Sequence, residues 1–430
     1  MVAVANKQQR RLRAVASLRL QRDSLARNSL WIMTTTVLTS GLGAVYWILA
    51  ARIYPAAAVG LAAALLSAMA LAASLSTLGI QATLVHRLPG RPSGPAWSAT
   101  MLAAIAAAGL AALAGGGLLI LALPQIGSEF AVVTNDARYA AVLALGVAVT
   151  TVAIVIDYAF IAERSSERMA IRNGFFSLLK VPLLLAASAS TLGILVSWVG
   201  AACAGLAVSL LLLVALRRGS RRTPSRAVAR ELRAMVPVLP AQHAITVTAS
   251  LPMFVLPLLV AAELSAADNA HFYATWMLGS LFFIVSPAIS WSLFAEGRHG
   301  YADLPRLVRR AAVLNALLLG PLIVAFLSGG RYALAVFGPG YAVHETEVLL
   351  VLLVLSAIPD AITNIFVATM RARGTLAPAV AMNAGMACGA IALAWLLLPP
   401  LGIAGAGLAW LVAQLVGMLY VLVYVLRCRR

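Results

Sequence analysis

The amino-acid sequence predicts an all-α polytopic membrane protein with about twelve transmembrane helices in two six-helix lobes. Three observations support this fold class. The chain is 62% hydrophobic and has a mean hydropathy of +0.95, whereas a soluble domain is about half apolar. Its charged residues, 11% of the total, lie in clumps between long apolar runs. The basic residues also fall in alternate loops, which is typical of a chain that crosses a bilayer many times.

The apolar runs define the predicted spans. A run of about 18 or more apolar residues can cross the hydrocarbon as a helix, which satisfies its own backbone hydrogen bonds there. Spans are predicted near residues 30–51, 60–84, 97–122, 139–161, 173–189, 193–216, 236–261, 271–294, 308–328, 346–369, 377–398 and 403–426. Only a short turn at residues 190–193 separates the fifth span from the sixth.

The longest polar stretch between spans divides the chain into two halves of six predicted spans each. Two such lobes around a central pathway are a common plan for transporters. We therefore expect a basic N-terminal tail, a first lobe, a basic linker, a second lobe and a C-terminal tail, at residues 1–28, 29–216, 217–235, 236–426 and 427–430.

The basic residues indicate the orientation of the chain. With the N-terminus inside, 28 of the 32 Lys and Arg residues fall on the cytoplasmic side and three fall in outer loops. Cytoplasmic loops are enriched in Lys and Arg, so we expect a multi-pass protein of the plasma (inner) membrane with both termini cytoplasmic. Topology explains the net charge of +18, and no nucleic-acid partner is expected.

Motifs for catalysis are missing from the sequence. It contains no Walker loop and neither paired carboxylates nor an activated nucleophile. Cys203, Cys388 and Cys428 lack metal-ligand spacing. We therefore expect a protein that is not an enzyme and that has no cofactor or metal.

Several short motifs resemble those of one transporter superfamily. They read RNSLW at 27–31, ARIYP at 51–55, VGL at 59–61, LGIQ at 78–81, AVFGPGY at 335–341 and RARG at 371–374. Their order and spacing are similar to those of the multidrug/oligosaccharidyl-lipid/polysaccharide (MOP) flippase superfamily. The resemblance is to its branch of polysaccharide transporters and O-antigen flippases.

This resemblance implies a fold and a function. The fold is that of MATE-like transporters, in which two six-helix bundles face each other in a V. The implied function is translocation of an oligosaccharide linked to undecaprenyl pyrophosphate, by alternating access, for cell-surface polysaccharide biosynthesis. The implied partners are the lipid bilayer, the lipid-linked oligosaccharide, a polysaccharide polymerase and glycosyltransferases.

Asp157 and Asp360 are the two acidic residues that lie well inside predicted spans, away from the outer loops. Ionisable groups are costly in hydrocarbon and usually face a cavity or a partner. Asp157 is interpreted as an H⁺ or Na⁺ coupling site, as a partner for Lys180, or as a carboxylate in contact with interfacial water. Lys180, in span five, either binds a substrate phosphate or pairs with Asp157.

Two further positions are candidates for substrate binding. Asn364 follows Asp360 by four residues, so both side chains share one helix face. They form either a polar cavity wall that binds sugar hydroxyls or a hydrogen-bond cluster between helices. Arg52 ends span one on the outer side, where it binds a pyrophosphate or anchors the helix at the interface.

Span seven is unusually rich in proline. Pro237, Pro240, Pro252 and Pro257 all fall in it, together with His243. Proline removes a backbone donor and bends a helix, and bent helices often mark the moving part of a transporter. We therefore interpret span seven as a gating element, with His243 as either a gating residue or a hydrogen-bonded structural residue.

Two other functions compete with a flippase. A cation-coupled multidrug exporter would need an acidic ion site in its pathway, and spans one and two contain no acid. A polysaccharide polymerase or ligase would need a large outer loop with basic and His residues, whereas the outer loops are short. A lipid precursor of peptidoglycan is an alternative cargo, but the predicted pathway offers only Lys180, Arg52 and Arg371 as cations.

Overall fold

The computed structural model describes residues 31, 34–90, 94–216, 223–297 and 304–428, and the regular structure of these residues is helical throughout. The predicted N-terminal tail 1–28 lies outside the described residues, as do residues 217–222 of the predicted linker and residues 429 and 430 of the C-terminal tail.

The helices follow one another with short connections. The first half contains α1 (Thr34–Ile53), α2 (Ala56–Ser76), α3 (Ile80–Arg87), α4 (Pro95–Ile126), α5 (Val132–Asn135), α6 (Ala137–Ala162), α7 (Ser166–Ala186) and α8 (Thr191–Leu216). Then come α9 (Ser225–Met235), α10 (Leu239–Glu263), α11 (Ala266–Ser280), α12 (Phe282–Gly297), α13 (Leu304–Ala335), α14 (His344–Arg373), α15 (Ala377–Leu401) and α16 (Ile403–Cys428).

The all-α polytopic fold class is confirmed. Among the described residues, 11 helical segments are long and apolar enough to cross a membrane, and α11 with the start of α12 counts as one of them. Each of these 11 corresponds to one predicted span. The remaining predicted span, 236–261, coincides with α10, whose residues Leu251–Glu263 form a shorter apolar stretch.

The predicted linker contains a helix that hydropathy does not reveal. Helix α9 is amphipathic and packs against α4, with Met235 buried at its end. Arg87, at the end of α3, forms an ion pair of 3.5 Å with Glu231 and donates a hydrogen bond to the backbone oxygen of Ala234. These contacts fix the linker helix to the first half.

The two halves meet where α1 ends and α2 begins, which is the predicted outer end. One buried apolar cluster there contains residues of both halves, including Tyr54 and Ala270. The rings of Trp47 on α1 and Tyr273 on α11 lie 4.7 Å apart between centroids. Helix α2 packs against both α10 and α11. The predicted outer end is therefore closed by contacts between the halves.

Candidate functional site

A cavity of 640 Å³ opens between helices α1, α10–α12 and α14–α16. Its residues on α14 and α15 lie toward the end of α14 and the start of α15, which is the predicted cytoplasmic side. We call it the central cavity. Its polar and aromatic lining includes Thr36, Ser40, Trp276, Ser280, Phe283, Ser290, Asp360, Thr363, Asn364, Arg371, Asn383, Trp410 and Gln414.

Helix α14 supplies the polar stripe of this wall. Asp360, Asn364, Val367 and Arg371 follow one another at helical spacing and all line the cavity. The predicted shared face of Asp360 and Asn364 is therefore present. The Asn364 side chain donates a 3.0 Å hydrogen bond to the backbone oxygen of Asp360, which leaves its own amide oxygen for other partners.

Four buried polar atoms of the lining have no hydrogen-bond partner within the described part of the chain. They are Oδ2 of Asp360, Oε1 of Gln414, Oγ of Ser290 and Nε1 of Trp410. A buried polar atom that lacks a partner costs roughly 1–3 kcal/mol. A polar ligand or water that entered the cavity would therefore bind where these groups converge.

An aromatic cluster lies beside these polar atoms. The ring centroids of Trp276 and Trp410 are 5.2 Å apart, and those of Phe283 and Trp410 are 5.5 Å apart. All three side chains line the cavity. Sequence reasoning missed this cluster and Gln414, although a glutamine within an apolar span was a signal that could have identified Gln414.

Asp157 and Lys180 do not form the ion pair that the sequence offered as one interpretation. Asp157 instead pairs with Arg172 on α7 at 3.2 Å and accepts a hydrogen bond of 3.1 Å from Asn173. The side chains of Asp157 and Arg172 are 15% and 11% exposed, so this ion pair is almost fully buried. It ties the predicted cytoplasmic ends of α6 and α7 together.

Lys180 lies in an aromatic cage inside the first half. Its side chain is 2% exposed, and its ammonium nitrogen lies 4.5 Å from the ring centroid of Trp198, 5.2 Å from that of Phe176 and 5.3 Å from that of Tyr46. No hydrogen bond or ion pair joins this ammonium to another described residue. Cation–π attraction stabilises the charge in this setting. Lys180 is not part of the described lining of the central cavity.

Arg52 also lies away from the central cavity. It is exposed at the end of α1, and its Nε donates a 2.8 Å hydrogen bond to the backbone oxygen of Val336, which follows α13. This bond adds a link between the two halves at the predicted outer end.

The proline-rich segment begins with a short 3₁₀ turn at Val236–Val238, which contains the exposed Pro237. Pro240 is the second residue of α10, and its side chain lies outside the described set. Pro252 and Pro257 are buried within the helix, and Pro252 lines the central cavity. His243 is half-buried, and its Nδ1 has no hydrogen-bond partner in the described part of the chain.

Comparison with known proteins identifies one family and several solved structures that this chain resembles. A family described as "Polysaccharide biosynthesis protein" matches residues 25–291. Comparison with curated protein sequences gives no match. Among solved structures, the lipid II flippase MurJ in its inward closed conformation is similar, with a TM-score of 0.75, 11% identity, and coverage of 92% of this chain and 87% of that one.

Two other solved structures show the same fold. An inward-facing MATE-family multidrug resistance transporter of the MOP superfamily has a TM-score of 0.66, 16% identity, and coverage of 94% of this chain and 99% of that one. A MOP superfamily transporter from Pyrococcus furiosus has a TM-score of 0.62, 15% identity, and coverage of 95% and 96%. These matches are to transporters and flippases rather than to enzymes.

Proposed function

This chain belongs to the family described as "Polysaccharide biosynthesis protein", and from that premise we propose that it is a flippase of the MOP superfamily that translocates a lipid-linked oligosaccharide. The proposed carrier is undecaprenyl pyrophosphate, and the proposed fate of the oligosaccharide is incorporation into a cell-surface polysaccharide. The central cavity carries this proposal, because it combines unpartnered polar atoms with an aromatic wall.

The chemistry of the cavity suits a sugar. Oδ2 of Asp360 and Oε1 of Gln414 have no hydrogen-bond donor among the described residues, and sugar hydroxyls are donors. The faces of Trp276, Phe283 and Trp410 offer apolar surfaces for the C–H faces of sugar rings.

The polar stripe on α14 offers different binding groups for the sugar and for the pyrophosphate of the substrate. Arg371 lies about 16 Å from Asp360 along α14, toward the predicted cytoplasmic mouth. Arginine binds phosphate oxygens through a planar fork of donors. The sugar would therefore lie near Asp360 and Asn364, with the pyrophosphate nearer Arg371 and the lipid tail outside the cavity.

The state of the structure supports alternating access. The halves are in contact at the predicted outer end, and the cavity lies toward the predicted cytoplasmic side. With both termini in the cytoplasm of a cell and the protein in the inner membrane, this is an inward-facing state. Pro252 and Pro257 lie where α10 would bend as the lobes rock.

Partners and coupling complete the proposal. Glycosyltransferases would supply the lipid-linked oligosaccharide and a polymerase would consume it, without any catalytic step in this chain. H⁺ or Na⁺ is the proposed coupling ion. The sequence indicated Asp157 as the candidate for coupling to this ion. Its ion pair with Arg172 favours a structural role, whereas Asp360 faces the pathway.

A second candidate function has one observation in its favour. A single buried carboxylate beside three aromatic rings also suits a lipophilic organic cation, as a cation-coupled multidrug exporter would require. Arg371 in the same cavity opposes such a cargo, because it repels cations.

Reconstitution into proteoliposomes separates the two functions. A lipid-linked oligosaccharide of short sugar length and ethidium would each be offered as cargo. We expect translocation of the former, and a loss of about tenfold in Asp360→Ala and in Gln414→Ala at unchanged protein abundance. Asp136→Asn is the matched control, because Asp136 caps α6 away from the cavity and asparagine retains the cap.

The outcomes are distinct. Ethidium transport without oligosaccharide translocation would show that the protein is a multidrug exporter rather than a flippase. Full activity of Asp360→Ala toward the oligosaccharide would remove Asp360 from the pathway.

A further inference from the structure

A second recess lies on the opposite side of α12 from the central cavity. It has a volume of 290 Å³ and lies between α12 and α13. Its apolar lining consists of Ala288, Ile289, Leu293, Leu307, Ala311 and Leu314. We call it the α12–α13 groove. Ala288 and Leu314 are exposed, so the groove is open on the surface that faces lipid.

One cation interrupts this apolar lining. Arg310 is exposed and lies about two turns from the start of α13, between Leu307 and Leu314 on the same helix face. This depth corresponds to the boundary between hydrocarbon and headgroups, because α13 begins at the polar connection that follows α12. An apolar groove with a cation at headgroup depth matches a lipid whose phosphate lies beside its acyl chain.

We propose that the α12–α13 groove binds an anionic phospholipid, with its phosphate on Arg310 and one acyl chain along the apolar lining. The polyprenyl carrier of the cargo fits less well. Its phosphates adjoin the sugar, and under the proposed function the groups that bind the sugar lie across α12 in the central cavity. A phosphate held by Arg310 would leave that sugar outside the cavity.

Helix α12 links the groove to the transport pathway. It presents Pro287 and Ser290 to the central cavity, and Ala288 and Ile289 to the groove. Pro287 lacks a backbone donor, so the helix is weakened at this level. A lipid in the groove would press against the back of the cavity wall and support it.

Lipid retention by the full-length protein tests this site. The protein would be titrated in mixed micelles with phosphatidylglycerol, phosphatidylcholine or undecaprenyl phosphate, and bound lipid counted by native mass spectrometry. We expect a preference for phosphatidylglycerol that falls about fivefold in Arg310→Gln. Arg309→Gln is the matched control, because Arg309 is also exposed but does not line the groove.

A second pair of variants tests the acyl-chain part of the groove. Ala288→Trp fills the groove from an exposed position, whereas Val313→Trp places the same indole ring at an exposed position on α13 outside it. We expect only Ala288→Trp to lower retention of phosphatidylglycerol. Equal loss in Arg309→Gln and Arg310→Gln, equal retention of both phospholipids, or preferential retention of undecaprenyl phosphate would each overturn the proposal.

Discussion

Asn269 on α11 donates a hydrogen bond of 2.7 Å from its side-chain nitrogen to the backbone oxygen of Gly60 on α2. Both residues are buried, and the bond joins the two halves of the chain at the predicted outer end. A Cβ atom at position 60 would clash with the backbone oxygen of Ala266. The two helices can therefore approach this closely only because residue 60 has no side chain.

Gly60→Ala is expected to force α2 and α11 apart and to open the outer end. Overpacking of this kind costs about 1–3 kcal/mol, so the population of the open state should rise by roughly fivefold or more. Ala270→Cys reports the change, because Ala270 is 1% exposed in the closed contact. The measurement is its labelling by an impermeant maleimide in a background that lacks the three native cysteines.

Gly385→Ala is the control for this experiment. A Cβ atom at Gly385 would meet nothing within 4 Å, so labelling of Ala270→Cys should stay at the parent rate. If Gly60→Ala labels no faster than Gly385→Ala, the contact does not close the outer end.

The ion pair between Asp157 and Arg172 leads to a stability prediction. Asp157→Asn leaves the guanidinium of Arg172 buried without its carboxylate, which should cost about 3–5 kcal/mol. The measurement is the Tm of the purified protein in detergent. The double variant Asp157→Asn/Arg172→Gln should recover most of the loss, since it removes both charges.

The same double variant separates a structural role from ion coupling. We expect it to transport with an unchanged dependence on H⁺ or Na⁺ gradients. If it is stable and has lost that dependence, Asp157 is the coupling residue and the pair with Arg172 is only one of its states.

Hydropathy was enough to predict most of the fold, because a helix is the form in which an isolated chain segment can cross lipid. It failed where helices continue into polar residues. Helix α7 begins at Ser166, seven residues before the predicted span, and this additional segment includes Arg172, which pairs with Asp157. Hydropathy also missed the linker helix α9, because the polar face of this helix lowers its mean hydropathy.

The helix start also explains why Asp157 does not pair with Lys180, which was one of the alternatives that the sequence left open. From Ser166, Lys180 lies about 21 Å along α7, whereas Asp157 lies about 8 Å from the end of α6. The two residues are therefore at different depths of the bilayer. Asp360 and Asn364 were predicted together because their relationship is local to one helix. The partners Trp410 and Gln414 come from α16, and no pattern within α14 identifies them.

Fusion reporters test the predicted orientation. Alkaline phosphatase fused after residue 428 should be inactive, because both termini are expected in the cytoplasm and the enzyme folds only outside it. A fusion after Leu264, in the short connection between α10 and α11, is the matched control and should be active. Phosphatase activity of the fusion after residue 428 would show that the orientation is opposite to the predicted one. The central cavity would then open outward.

The aromatic cage of Lys180 leads to the final prediction. Lys180→Met removes a buried cation and keeps an unbranched chain of similar length, so Tm should be unchanged or higher. Trp198→Ala should lower stability by about 2 kcal/mol or more, because it removes the ring nearest the ammonium. In the double variant the two effects should not add, since the cation–π contact is lost only once.

Transport by Lys180→Met should stay within about twofold of the parent, because the cage encloses the ammonium away from the central cavity. Loss of oligosaccharide translocation at normal abundance would instead place Lys180 on the path of the substrate phosphate. The aromatic cage would then be the position from which the Lys180 side chain moves toward that phosphate.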